Sequence, residues 1–221
     1  MSTKSTPAAR RYAVREIFPT LQGEGAQAGS PAVFLRFAGC NLGYAVCPWC
    51  DTDWAKADFT GSASEVVERA RAAADDAFGG VPDGLLLVAT GGEPSLQLDP
   101  PLADALRAEG FRIAMETNGS REIVRRTVDW LTVSPKQPEY VQREGDELKI
   151  VYTGRAAPGI TPDVESVRAL AAGTRFDHYF LQPVDIPEEG GPNYQETLRA
   201  VHALGPPWRL SVQTHKVIGI P

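Results

Sequence analysis

Three cysteines, Cys40, Cys47 and Cys50, stand close together in a segment that also holds Gly, Asn and Pro. Thiolates are soft ligands that select zinc or iron–sulfur centres. The two residues between Cys47 and Cys50 let both sulfurs reach one metal centre. Zinc ordinarily takes four ligands. The chain has no fourth cysteine, and the nearest histidine in sequence, His178, lies far along it. Three thiolates without a fourth partner suit a four-iron cluster with one iron left open to a substrate. Two alternatives stay open on these residues alone: three inert buried thiols, or a zinc site completed by a distant side chain.

Such residues need a scaffold, and the apolar spacing outlines one. Residues 32–37 (AVFLRF), 85–88 (LLLV), 111–115, 130–133, 147–152, 178–181 and 208–212 read as strands. The second is a continuous apolar run of the kind buried on both faces. Helical spacing marks 64–78, with Ser62 or Ser64 as N-cap. A second helix is capped by Asp99, with Pro100 in its first turn, and ended by Gly110. Further helices are expected from Ser120, over 162–172 before Gly173, and over 193–204. About seven strands joined mostly by helices imply parallel neighbours with right-handed crossovers. The expected fold class is α/β: a partial or modified (β/α) barrel of about six or seven largely parallel strands, with an open doubly wound sheet as the alternative. Either fold places ligands at the carboxyl ends of its strands. The polar, Gly-rich segments 39–54, 90–94, 116–119, 134–136 and 182–185 all follow strands, so one site built from many loops is expected.

Bulk properties narrow the function classes. Acidic residues outnumber basic ones, 28 to 22, for a formal charge of −6. That argues against a dedicated nucleic-acid binder, which needs clustered Lys and Arg. No apolar run approaches the roughly 18 residues that a membrane span requires. An odd, clustered set of cysteines is not a disulfide framework, which points to a reduced, cytoplasmic protein. The opening MSTKSTPAAR lacks the apolar stretch of a secretory signal. Residues 1–11 are expected to form a disordered tail and 12–221 a single domain.

Several short motifs occur together in order. The three-cysteine loop, Trp49 just before its last cysteine, and Thr90-Gly91-Gly92-Glu93-Pro94 after the next strand resemble the radical S-adenosylmethionine superfamily. The usual cysteine spacing there is three residues, then two. Here it is six, then two, so the first gap must bulge. Leu21-Gln22-Gly23-Glu24-Gly25, Arg36, Cys50-Asp51-Thr52, Glu116-Thr117-Asn118-Gly119, Ser134-Pro135-Lys136, Gln182-Pro183-Val184-Asp185 and His215 near Pro221 extend the likeness. As a set they are similar to the 7-carboxy-7-deazaguanine synthase family, which tolerates a variable first gap. The resemblance runs from residue 12 to the last residue.

The resemblance implies a carbon–nitrogen lyase acting through radicals. Cys40, Cys47 and Cys50 would hold a 4Fe-4S cluster. Gly92, Glu93, Glu116, Asn118, Ser134, Pro135, Lys136, Gln182, Pro183, Val184 and Asp185 would bind S-adenosyl-L-methionine. Leu21, Gln22, Gly23, Glu24, Arg36, Thr90, His215 and the carboxylate of Pro221 would meet the substrate. Thr52 would bind a Mg2+ ion shared with the substrate carboxylate. The implied reaction converts 6-carboxy-5,6,7,8-tetrahydropterin into 7-carboxy-7-deazaguanine with loss of ammonia, in queuosine and deazapurine biosynthesis. It would begin when a 5′-deoxyadenosyl radical takes a hydrogen atom from C6. A flavodoxin- or ferredoxin-type reductant and a homodimer are also implied, with no nucleic acid or membrane partner.

Read singly, these residues have plainer roles. Glu93 offers a carboxylate to an ammonium group, but its turn also reads as an ordinary strand-to-helix connection. Arg36 interrupts an apolar strand, either as an anion clamp or in a structural ion pair. His178 and His202 read as structural, and Trp130, Tyr179 and Phe180 as core or pocket wall. A glycyl-radical activase and a zinc-stabilised binding module are the rival functions.

Overall fold

The computed structural model describes residues 10–187 and 190–221. In chain order these form β1 (Tyr12–Leu21), β2 (Pro31–Phe37), β3 (Phe59–Gly61), α1 (Ala63–Phe78), β4 (Leu86–Gly91), α2 (Pro100–Ala108), β5 (Arg112–Thr117) and β6 (Trp130–Val133). There follow β7 (Glu144–Tyr152), α3 (Val164–Ala171), β8 (Arg175–Pro183), β9 (Asp185–Ile186), β10 (Gly191–Pro192), α4 (Tyr194–Leu204), β11 (Trp208–Leu210) and α5 (Thr214–Ile218).

Nine strands make one sheet in the order β11-β8-β7-β6-β5-β4-β2-β1-β3. Seven of them, β2, β4 to β8 and β11, pair in parallel. β1 pairs antiparallel with β2 and β3. From β2 to β11 the order advances in one direction without reversing. Right-handed crossovers then leave α1 to α4 on the same face. A doubly wound sheet would reverse at a switch point, so this is the partial barrel, with β11 and β3 as open edges.

Period two along the strands sorts the faces. One set of alternate residues packs on the helices: Val33, Leu35 and Phe37 of β2, Leu87 and Ala89 of β4, Ile113 and Met115 of β5, Leu148 and Ile150 of β7. Against them lie Val66, Ala70 and Ala74 of α1 and Leu102 and Leu106 of α2. Ser62 caps α1 with a full capping box, and the Asp99 side chain accepts from Leu102 N at the head of α2. The opposite, inner face starts apolar, with Ala32, Leu86, Val88 and Ala114 packed by Phe34 and Trp130. One step further along the same strands the residues become Arg36, Thr90 and Glu116, with Lys149 and Gln182 on β7 and β8. The apolar layer closes one end and the polar layer opens to the site.

The expected helix at Ser120 is absent. Ser120 N donates to Asn118 Oδ1 and Ile123 N to Gln142 Oε1, so these donors are satisfied without a helix. Only a 3-10 turn, Arg125–Thr127, occurs there. Neither the β5–β6 nor the β6–β7 connection carries an α-helix, fewer than expected. β7 and β8 each begin three residues earlier than read from sequence, and α3 starts at Val164 because Asp163 is its cap. Residues 1–9 of the expected tail lie outside the described residues. Arg10 and Arg11 are anchored: Arg10 pairs with Asp99 at 3.2 Å, and Arg11 donates to the Thr60 carbonyl. Among the described residues, no helix is long and apolar enough to cross a membrane.

Candidate functional site

At the carboxyl ends of the parallel strands lies a pocket of about 420 Å³. The register builds it. Arg36 of β2 stands opposite Thr90 of β4, and on β7 and β8 Lys149 faces Phe180 and Val151 faces Gln182. Of these, Arg36, Thr90, Lys149, Val151 and Gln182 line the same volume.

The cysteine loop, residues 39–54, follows β2 and forms one wall. All three thiols are free and line the pocket, Cys47 buried and Cys40 and Cys50 partly exposed. Burial pushes the Cys47 thiol above its ordinary value, against the pull of Lys136. In the six-residue gap Tyr44 stacks on Trp54 with ring centroids 4.8 Å apart, and its hydroxyl donates to the Thr52 carbonyl at 3.1 Å. The gap is therefore a tight loop folded back on the segment after Cys50. Among the described residues, no three His, Cys, Asp or Glu side chains converge on a point that one metal ion would fill.

The glycine turn after β4 touches this loop. Gly92 N donates to Phe37 O at 3.1 Å and Glu93 N to Gly39 O at 2.9 Å. A Cβ on Gly92 would lie 2.1 Å from Gly39 O, so only glycine permits the approach. Glu93 turns away from the pocket, as the plainer of its two sequence readings allows. It is 1 % exposed and does not line the pocket. Its Oε1 accepts from Thr117 Oγ1 (2.6 Å) and Ser95 N (3.0 Å), and its Oε2 from Asn118 N (2.7 Å). It braces the turn against the end of β5.

The pocket floor is an ionic network centred on a buried ammonium. Lys149 Nζ lies 2.6 Å from Glu24 Oε2 and 2.7 Å from Glu116 Oε2. Gln182 and Gln213 both donate to Glu24 Oε1, at 3.1 and 2.8 Å, and Gln22 Nε2 donates to Glu116 Oε1 at 3.0 Å. Burial works to raise the Glu24 carboxyl, but Lys149 and the Gln213 amide outweigh it and hold it at about 2. Burial pushes Glu116 up to about 7 against the pull of Lys149, with Glu147 and Glu24 adding to the rise. Burial alone would lower Lys149, yet the three carboxylates keep it well above its ordinary value.

The C-terminal segment closes the remaining side. Thr214 donates to Gly23 O, and a Cβ on Gly23 would meet His215 Nδ1 at 2.0 Å. Burial lowers the His215 imidazole. Lys216 Nζ bridges Asp51 (2.7 Å) and Asp185 (2.8 Å), and Thr20 Oγ1 donates to Pro221 O at 2.7 Å.

The structure brings nearly all the residues singled out in the sequence to this one pocket. Leu21, Gln22, Glu24, Arg36, Thr90, His215 and Pro221 line it, as do the three cysteines and Thr52. So do Gly92, Glu116, Asn118, Ser134, Lys136, Gln182, Pro183, Val184 and Asp185. Gly23, Glu93 and Pro135 lie behind its walls. Arg36 makes the ion pair of one reading offered for it, its Nε pairing with Glu16 at 2.6 Å, while its Nη1 lies 3.5 Å from Thr52 Oγ1 at the pocket wall. Asn118 is tied to the cysteine loop, donating to Asn41 Oδ1 at 3.0 Å. Ser134 Oγ accepts from Lys136, whose ammonium also sits 5.7 Å from the Trp49 ring centre. Sequence reasoning missed Lys149, Glu147 and Gln213. The first two left a signal: charged residues alternating with Leu148 and Ile150 inside a strand.

A partial α/β barrel with one deep, charged pocket at its strand ends, walled by free thiols, defines an α/β enzyme of the barrel class. Comparison with known proteins narrows this. The chain is 44% identical over 221 residues to "7-carboxy-7-deazaguanine synthase" of Caulobacter vibrioides, covering 95% of this chain and 99% of that protein. It is 44% identical over 223 residues to the protein of that name from Bordetella pertussis, with the same coverage. A crystal structure of QueE from Escherichia coli superposes with a TM-score of 0.70 at 28% identity, covering 93% of this chain and 95% of that one. No protein-family model matches the chain. The chain belongs to the 7-carboxy-7-deazaguanine synthase family and is an enzyme of deazapurine synthesis.

Proposed function

We propose that this enzyme contracts 6-carboxy-5,6,7,8-tetrahydropterin to 7-carboxy-7-deazaguanine, with loss of ammonia, by S-adenosylmethionine-dependent radical chemistry in queuosine and related deazapurine synthesis. The observation that carries the reading is a single pocket with three free thiols and a glycine turn on one side and a floor of carboxylate, ammonium and amide groups on the other.

The donor set fits a 4Fe-4S group held by Cys40, Cys47 and Cys50. In such a cluster each thiolate takes a separate iron, so thiols spread around one pocket suit it. Ligation removes the thiol protons, including that of the burial-raised Cys47. When bound, the cluster supplies the electron that splits S-adenosylmethionine into methionine and the 5′-deoxyadenosyl radical.

The chain's own residues bind, orient and exclude. Gly92 lets backbone approach the cysteine loop closely, while Glu93 and Pro135 act from behind by holding the turns that carry Asn118, Ser134 and Lys136. With Gln182, Pro183, Val184, Asp185 and Glu116, these line the S-adenosylmethionine side. On the substrate side, ionised Glu24 accepts from the N–H donors of a pterin edge, and the Gln22 amide offers both polarities. Gly23 makes room for His215, and Arg36 faces the substrate carboxylate. Leu21, Thr90 and Pro221 complete the wall. Thr52 Oγ1 is the hard oxygen that would hold a Mg2+ ion, which would orient the substrate carboxylate. Enclosure at the strand ends keeps water from reactive intermediates. A flavodoxin- or ferredoxin-type protein delivers the electron, and the chain works as a homodimer in the cytoplasm.

The test is anaerobic reconstitution, followed by incubation with the pterin, S-adenosylmethionine and a low-potential reductant. The expected result is a brown protein with near-equal iron and sulfide that forms 5′-deoxyadenosine and the ring-contracted product by mass spectrometry. A colourless protein carrying stoichiometric zinc, or 5′-deoxyadenosine without deazaguanine product, would overturn the reading.

A further inference from the structure

We infer that Lys149 is the positioning residue of the substrate pocket: its ammonium bridges Glu24 and Glu116 and so fixes Glu24 as an ionised acceptor for the pterin. This rests on the pterin reading above.

Lys149 is 3 % exposed, at the centre of β7, with its Nζ within 2.7 Å of both carboxylates. It ties three segments that are far apart in sequence: the 22–27 loop, the end of β5, and β7. The link closes on itself, because Gln22 donates to Glu116 and accepts from Glu24 N at 3.1 Å. A third carboxylate, Glu147, is two residues away on the same face of β7. It is 1 % exposed, accepts from Ala26 N at 2.9 Å through Oε2, and has no partner at Oε1 among the described residues. Three carboxylates, Glu24 and Glu116 at the pocket wall and Glu147 buried behind them, thus crowd one buried ammonium, and their mutual repulsion opposes all three staying ionised.

The distribution of donors decides which one does. Glu24 has the ammonium and two amides, Gln182 and Gln213. Glu116 has the ammonium and one amide, and Glu147 has a backbone N–H only. The charged groups facing Glu24 are Lys149 and Glu147 from β7, Glu116 from β5, His215 from α5 and Lys136 from the loop after β6. Among the described residues, Lys149 alone of the cations is in direct contact with Glu24. Without it, burial and two like charges all drive Glu24 toward the neutral acid. A protonated Glu24 offers a donor where the pterin edge also offers donors.

The experiment measures equilibrium binding of 6-carboxy-5,6,7,8-tetrahydropterin to the reconstituted holoenzyme by anaerobic titration calorimetry from pH 6 to 8.5. The proteins are wild type, Lys149→Arg, Lys149→Met and the double variant Lys149→Met/Glu116→Gln, each checked for iron content and melting temperature. Lys149→Met is expected to weaken binding tenfold or more at pH 7. Its deficit should widen as pH falls, because Glu24 must lose a proton to bind. Lys149→Arg keeps the cation and should keep the wild-type pH profile. The double variant replaces Glu116, which is raised to about 7 even beside Lys149, by a neutral amide of the same shape, protects the fold if Lys149→Met alone unfolds, and should keep the low-pH loss of Lys149→Met. A profile parallel to wild type in Lys149→Met, or in the double variant where Lys149→Met alone unfolds, overturns the inference. Wild-type protein that does not bind the pterin overturns the substrate reading, and this inference with it.

Discussion

Glu93→Gln separates a brace from a ligand. The Glu93 carboxylate, 1 % exposed, accepts three donors: Thr117 Oγ1, Ser95 N and Asn118 N. Glutamine keeps the shape but turns one oxygen into a donor. If the amide replaces Oε2, it opposes Asn118 N; if it replaces Oε1, it opposes Ser95 N and forces the Thr117 hydroxyl to turn. A buried donor left without an acceptor costs about 1–3 kcal/mol, and each surviving bond weakens by about 1 kcal/mol once the charge is gone. The expected loss is about 2–4 kcal/mol. For a chain of this size that lowers Tm by roughly 5–15 °C. Calorimetry of the apoprotein reads it directly, because no cofactor is needed for these bonds. S-adenosylmethionine affinity, measured on reconstituted protein well below the new Tm, should fall only modestly, since Glu93 lies behind the pocket wall. An unchanged Tm with affinity lost tenfold or more would show that the carboxylate turns to meet the ligand, and would refute the reasoning.

Other perturbations reach the remaining parts of the site. Gly92→Ala puts a Cβ 2.1 Å from Gly39 O and 2.9 Å from Cys40 N, backbone atoms that cannot swing aside; a stability loss of about 1–3 kcal/mol and reduced iron incorporation are expected, by urea titration and iron assay. Cys47→Ala should abolish cluster assembly and S-adenosylmethionine cleavage while circular dichroism stays native; undiminished cleavage would remove Cys47 from the ligand set. Glu116 titrates at about 7 when folded and near 4.5 as a free side chain, so the folded state binds more protons between those values and its contribution to stability falls as pH rises through that window. Glu24, held at about 2, contributes stability that is present above 4.5 and lost as pH falls toward 2. Glu116→Gln should therefore flatten the slope of apoprotein stability between pH 4.5 and 7 in urea titrations, and an unaltered slope would contradict that assignment.

The sequence by itself determined the parallel strands and the longer helices, because both are written in local apolar period and caps. Ser62, Asp99 and the 85–88 run are examples, and each recurs in the structure within a few residues. It also gathered the chemistry, since short polar motifs at strand ends must meet wherever parallel strands lie side by side. What it did not hold was direction and company. β1, with Arg15, Glu16 and Pro19 in its run, has no clean period, and only pairing with β2 and β3 makes it a strand. Glu93 read as a free carboxylate because its three donors come from Ser95, Thr117 and Asn118, the last two on a different strand end. Lys149 read only as one residue of the 147–152 strand, and only the curvature of the sheet brings it between Glu24 and Glu116, residues 125 and 33 positions away. A side chain's type is local information, whereas its ionisation and its partners depend on which distant groups share its dry volume, and that is settled only when the sheet closes around the pocket.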